Sequence, residues 1–205
     1  MKTTLLTLVH NTPNKLACIG RNYVEHIKEL GNEIPDDMVV FCKPNSAISK
    51  TLHSQHQGEP LHYEAELCLL IQQGQIAGVG VGLDLTKRDL QSRLKAKGLP
   101  WERAKAFDGA AVLSDFVALD HVPDELRFEL WVNDERRQYG EPALMMYKPP
   151  QILAELQSFM TLQDGDVVMT GTPKGVGAVE AGKDYQVKLF VGEQCVLSQH
   201  WPAQP

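Results

Sequence analysis

Apolar positions along this chain follow two rhythms, and each rhythm marks an element. Leu16 to Ile19 is a short apolar run stopped by Gly20, the form of a buried strand. From Tyr23 the spacing lengthens. Tyr23, Ile27 and Leu30 recur every three or four positions, which predicts a helix capped by Asn22 and stopped by Gly31. Val39-Val40-Phe41-Cys42 returns to strand and ends at Pro44. The run Leu67 to Ile71 is continuously apolar and predicts a dry strand. Gln72-Gln73-Gly74-Gln75 is a turn, and the next strand leads through Val79-Gly80-Val81-Gly82-Leu83 to Asp84. Thr86 is the expected cap of a following helix, with Leu90 and Leu94 on its buried side and Gly98 and Pro100 closing it. Residues 101–115 carry no clear period.

Alternation then takes over. Leu126, Phe128, Leu130 and Val132 share one face of a strand, and Asn133-Asp134-Glu135 reads as a hairpin turn. Pro150 to Met160 has helical spacing with Ile152, Leu153, Leu156 and Phe159 inward. A strand at Val167 to Thr170 follows Asp164-Gly165-Asp166, and Tyr185 to Val191 with Cys195 to Leu197 forms a last hairpin. Many short strands with three modest helices, irregularly alternating, predict an α+β fold that is mostly β. No linker, repeat or low-complexity tract divides the chain, so a single domain over residues 1–205 is expected.

Composition narrows the function classes. Hydrophobic residues make up 43% of the 205 residues, enough for a sizeable core. The formal net charge is −6, and no basic run appears, which excludes nucleic acid and anionic membrane as expected partners. No apolar run approaches the ~18 residues of a membrane span. The apolar stretch near the N-terminus is short, broken by Thr and followed by no small-residue cleavage site. Cys18, Cys42, Cys68 and Cys195 form no Cys-x-x-Cys pair, which predicts reduced, mostly buried thiols in a cytoplasmic protein.

The chemistry begins at Glu64 and Glu66. Side chains two apart on a strand share a face, with Cβ atoms roughly 7 Å apart, and the apolar run after them suggests that this face enters a core. Like charges there repel and lose hydration. A divalent cation would relieve both problems, and Asp84, after its own Gly-rich strand, offers a third oxygen ligand. Three hard donors favour Mg²⁺ or Mn²⁺ over Zn²⁺. The plainer alternative is a solvated strand end beside a turn aspartate.

His26 and Glu29 are three apart on the first helix and so are neighbours. They are either polar positions on an exposed face or a dyad in which the carboxylate raises the basicity of the imidazole. Arg88, Gln91 and Lys105 supply donors close to Asp84, although with Lys87, Arg93, Lys95 and Lys97 the plainer reading is a solvated basic helix. Thr170-Gly171-Thr172-Pro173-Lys174-Gly175-Val176-Gly177 has the wrong order for a phosphate loop. It is either a tight turn or a glycine-rich segment that offers backbone N–H groups to an anion.

Taken in order, five motifs resemble the fumarylacetoacetate hydrolase family, most of all its short acylpyruvase (fumarylpyruvate hydrolase) branch. They are Gly20-Arg21-Asn22-Tyr23 with His26 and Glu29; Glu64-x-Glu66; Leu83-Asp84-Leu85-Thr86-x-Arg88-Asp89; Lys97-Gly98-Leu99-Pro100-Trp101 with Ala104-Lys105; and Thr170-Gly171-Thr172-Pro173-x-Gly175-Val176-Gly177. The resemblance implies a roll of layered β-sheets with a few helices, assembled as a homodimer. It implies metal ligands at Glu64, Glu66 and Asp84, and a lid dyad at His26 and Glu29. Substrate-side donors fall at Arg88, Gln91, Lys105 and Thr172, and Arg21 matches the stretch before the lid. Tyr63 stands where relatives often carry His, with its side chain expected to point away from the glutamates.

The chemistry implied is that of a 2-oxo acid. With Mg²⁺ or Mn²⁺ as cofactor, His26 held by Glu29 would activate water against an acylpyruvate. The C–C bond would break to release pyruvate as its metal-bound enolate, and Lys105 would assist protonation. Arg88 would pair with a substrate carboxylate. The alternatives share that intermediate: oxaloacetate decarboxylation, enol–keto tautomerisation, or isomerisation and decarboxylation of the oxo-diacids of aromatic degradation. A non-catalytic metabolite-binding homodimer is the alternative from another class.

Overall fold

The computed structural model describes residues 5, 6, 13–119 and 121–205. Among these the larger sheet has nine strands and is mixed. Its centre is the hairpin of Ala65–Gln72 and Gln75–Asp84, joined by Gln73 and Gly74, both at positive φ (51° and 71°). That is the backbone a two-residue hairpin turn needs to match strand twist. The strand Val167–Met169 pairs antiparallel with Ala65–Gln72 and parallel with Lys15–Gly20, which pairs with Val39–Pro44 at one edge. On the other side Gln75–Asp84 pairs with Ala111–Leu113 and Phe116–Ala118. A four-stranded antiparallel sheet runs Glu135–Gly140, Leu126–Val132, Asp184–Val191, Gln194–Pro202. The fold is α+β and mostly β, as the pattern predicts.

Period-two alternation divides the large sheet into two differently used faces. Leu67, Leu69, Val79, Val81 and Leu83 face the main core, where Leu126, Phe128, Leu130, Tyr185, Val187 and Leu189 of the four-stranded sheet meet them. Each fully buried side chain of this size contributes roughly 1.5–3 kcal/mol. On the opposite face a smaller cluster of Leu16, Cys18, Cys68, Phe116, Val167 and Met169 forms a floor. Glu66 is two residues before Cys68 and therefore shares that floor's face.

Several local expectations are corrected. The first helix is Val24–Glu29, with Tyr23 at its cap position. Asn22 is fully buried and serves elsewhere: its Nδ2 donates to Tyr147 O and Thr170 O, and its Oδ1 accepts from Tyr147 N–H at 2.7 Å. The second helix is Arg88–Ala96, and Thr86 does not cap it. Its one buried residue is Gln91; Leu90 and Leu94 are only half-buried. Within Pro149–Phe159, Ile152 and Leu156 are buried, but Phe159, the last residue of the helix, is 58% exposed. The unassigned stretch 101–115 holds the short helix Glu102–Lys105 and the strand Ala111–Leu113. All four cysteines are free, Cys18 and Cys68 buried, Cys42 and Cys195 exposed. No helix among the described residues is long and apolar enough to cross a membrane.

Candidate metal centre and its lid

Hairpin register brings the three acids together. Asp84 N–H donates to Glu64 O at 2.8 Å, and Glu66 lies opposite Gly82. Glu64, Glu66 and Asp84 therefore leave the sheet on one face, all buried, with one oxygen from each within 4.8 Å of the others. Glycine leaves room at 82, where a Cβ would come within 2.7 Å of Leu113 Cδ2 and 2.9 Å of Cys68 Sγ. Tyr63 points to the other face and packs edge-on against Tyr185, as expected. Gln138, which the sequence reading missed, pins the strand between the two glutamates. Its Oε1 accepts Ala65 N–H at 2.9 Å, while its Nε2 donates to Thr172 Oγ1 and Pro173 O.

The three carboxylates are not equally compensated. Glu64 takes hydrogen bonds from Arg88 and from Lys105 Nζ (2.7 Å). Burial opposes its ionisation, yet the charges of Lys105, Arg88 and His26 outweigh burial and hold its carboxyl well below the usual range. Asp84 Oδ2 accepts from Lys105 Nζ at 2.6 Å. Burial disfavours the Lys105 ammonium, but Asp84 and Glu64 more than restore it and raise its pKa. Asp84 Oδ1 faces Lys43 Nζ at 2.8 Å but out of line for a hydrogen bond, so this buried oxygen keeps unpaired acceptor capacity. Lys43 is a second residue the sequence reading missed. It reads as one more strand residue, yet it is fully buried and its ammonium donates to the carbonyls of Leu85, Lys105 and Ala110.

Among the described residues the Glu66 carboxyl receives only Gly171 N–H, at 2.7 Å. Burial, then Asp84, then Glu64 push its carboxyl well above the usual range. A buried acid with no ion-pair partner among the described residues, a buried carboxylate oxygen with spare acceptor capacity and an all-oxygen donor set fit a hard divalent ion. Glu64, Glu66 and Asp84 are the residues able to hold it.

The dyad closes over this cluster. His26 is 5% exposed, in contrast to a solvated helix face, and lines the same cleft as the three acids. Its Nδ1 lies 3.1 Å from Glu29 Oε2, which leaves Nε2 for the cleft. Glu29 Oε1 accepts Gly175 N–H at 2.9 Å. The glycine-rich segment does present N–H groups, but to carboxyl oxygens of the chain's own Glu66 and Glu29. Thr172 lines the cleft with its hydroxyl already donated to Ala65 O. Arg88 and Gln91 meet as the spacing predicts, Nη1 to Oε1 at 3.0 Å. Arg88 Nη2 is occupied by Glu64, although its Nε is buried and unpaired. Arg21 also lines the cleft, in a left-handed conformation with φ 56°.

Comparison with known proteins extends the picture. A family model described as fumarylacetoacetate (FAA) hydrolase C-terminal matches residues 15–199. The oxaloacetate tautomerase YcgM of Escherichia coli is 40% identical over 191 residues, spanning 85% of this chain and 87% of the relative. The mitochondrial oxaloacetate tautomerase FAHD1 of Arabidopsis thaliana is 39% identical over 199 residues, 89% of each. Among solved structures, fumarylpyruvate hydrolase from Pseudomonas aeruginosa, in complex with Mn²⁺ and pyruvate, superposes with a TM-score of 0.85. It is 30% identical and covers 100% of this chain and 97% of its own.

Proposed function

The chain belongs to the fumarylacetoacetate hydrolase family, and from that premise we propose that it interconverts the enol and keto forms of oxaloacetate, using Mg²⁺ or Mn²⁺ held by Glu64, Glu66 and Asp84. The observation that carries this reading is the charge balance of the cleft. Three buried carboxylates face the cations Lys43, Lys105 and Arg88, and Arg21 and Lys95 line the same cleft as further positive charge. A divalent cation then adds two positive charges in a poorly solvated place, and a dianionic 2-oxo acid cancels them. Both oxaloacetate and fumarylpyruvate meet that condition. The names of the relatives at 39–40% identity favour oxaloacetate.

When bound, the cation supplies Lewis acidity to a chelating carboxylate and keto oxygen. Tautomerisation moves one proton between C3 and the C2 oxygen. His26 takes or returns the proton at carbon through Nε2, while Glu29 fixes the tautomer and steadies the imidazolium. Lys105 is the second proton carrier of the cleft. Arg88 and Gln91 orient the carboxylate nearest the metal ligands, and Thr172 shapes the wall. The sequence reading placed acylpyruvate hydrolysis first, because the dyad suits water activation. The same dyad serves proton transfer at carbon with no water required, and the burial of His26 supports a dry reaction.

Enol oxaloacetate supplied to the Mg²⁺-loaded protein tests this reading. Loss of the enol absorbance is expected with a kcat/KM at least about 100-fold above that for pyruvate release from oxaloacetate or acetylpyruvate. Faster cleavage of acetylpyruvate would restore the hydrolase reading. Changing His26 to Ala is expected to slow tautomerisation by about 10²–10⁴-fold.

A further inference from the structure

The helix Arg88–Ala96 turns a polar stripe toward the cleft. Arg88, Gln91 and Lys95 stand at helical spacing, and all three line the same cleft as the metal-ligand cluster. Arg88 is tied to Glu64 at one end. Lys95 lies seven residues on, about 10 Å along the axis. Its ammonium sits 4.4 Å from the centre of the Trp101 ring, and no carboxylate pairs with it among the described residues. Arg21 joins it from the base of the lid, held by a bond from Nη2 to Asn32 Oδ1 at 3.2 Å. Its buried Nε–H has no partner. A non-glycine residue at positive φ is strained, and such strain persists where the surroundings fix it for a purpose.

We propose that Lys95, with Arg21, forms the subsite for the second carboxylate of the substrate, and so selects dicarboxylic 2-oxo acids over monoanions such as pyruvate. The proposal rests on the reading of this cleft as a site for 2-oxo acids. An unpaired ammonium at the mouth of a cleft already rich in cations needs an anion from outside the chain. Burial, then Arg21 and Lys105, lower the Lys95 ammonium to about 8, with Glu64 acting against them. Trp101 holds the charge by its ring face without neutralising it. Arg88 stands at the other end of the stripe, beside the metal ligands, where its Nη2 pairs with Glu64.

Malate and lactate test it, as unreactive 2-hydroxy acids that differ only in the distal carboxylate. Calorimetric titration of the Mg²⁺-loaded protein is expected to give malate at least about tenfold tighter binding than lactate. Lys95→Met is expected to bring the two affinities within about twofold by weakening malate alone, and Lys95→Arg to keep the preference. Unchanged discrimination in Lys95→Met would overturn the subsite. So would equal weakening of both ligands, or a wild type that does not prefer malate. A preference that depends on Lys95, found in a protein that does not accelerate enol loss, would sustain the subsite while sinking the proposed reaction.

Discussion

Glu64 and Asp84 each have a cation at hand, and Glu66 has a single backbone N–H. At about 5 Å and an effective dielectric of about 20, two such charges repel by about 3 kcal/mol. The folded, metal-free protein therefore holds a proton at Glu66 that the unfolded chain releases at ordinary carboxylate pH. That contribution to stability is present at low pH and is lost as pH climbs from the usual carboxylate range through the raised value. Metal binding must displace the same proton. Titrations in buffers of different ionisation heat should show about one proton released per ion, with affinity rising with pH across that window. Glu66→Gln is expected to abolish metal binding, while at pH above the usual carboxylate range the metal-free melting temperature stays equal or rises, because the neutral amide folds without taking up a proton and meets no repulsion from Asp84 and Glu64. A clear loss of stability in metal-free Glu66→Gln would show that the carboxylate serves the fold instead.

At the scale of elements, the segment after Val167–Met169 ties the two halves of the cleft. Gly171 N–H holds Glu66 and Gly175 N–H holds Glu29, so one loop touches a metal-ligand carboxylate and the lid dyad. Asn22 anchors the lid base to the strand end at Thr170 and to Tyr147. Asn22→Ala leaves two carbonyls and one N–H unpaired in a buried place and should cost about 2–3 kcal/mol in urea unfolding, with a fall in kcat as the lid loses its seat. In the central hairpin, Gly82→Ala places a methyl group on Leu113 and Cys68 across from Glu66. It should destabilise by about 1–3 kcal/mol, because Leu113 and Cys68 must leave their packed positions, and weaken metal binding to the extent that the strand carrying Glu66 shifts with Cys68.

For the molecule as a whole, one sheet serves two purposes on its two faces. The main core lies against the four-stranded sheet, and the metal-ligand face lies on the smaller cluster. Phe128 packs over Gly140, where a Cβ would meet its ring at 2.4 Å. Phe128→Ala should cost about 3–5 kcal/mol with metal affinity little changed, as chemical denaturation and calorimetry would show. Saturating Mg²⁺ should add about 2.7 kcal/mol at 100 times its Kd, and Glu66→Gln should lose that increment.

The sequence alone determined the strands of the main core, since a face buried against apolar neighbours writes period two into the chain, as at Leu126, Phe128, Leu130 and Val132. It also marked the three acids, because charges beside a dry strand conflict with local rules. Tertiary structure decided what local spacing cannot encode. Lys43 looks like any strand residue until three carbonyls from distant segments surround it. Gln138 gains its place only when the second sheet meets the strand between the glutamates. The helix Arg88–Ala96 turns polar residues inward because a charged cleft, not an apolar core, covers that face, and burial there follows the partner surface and not hydropathy.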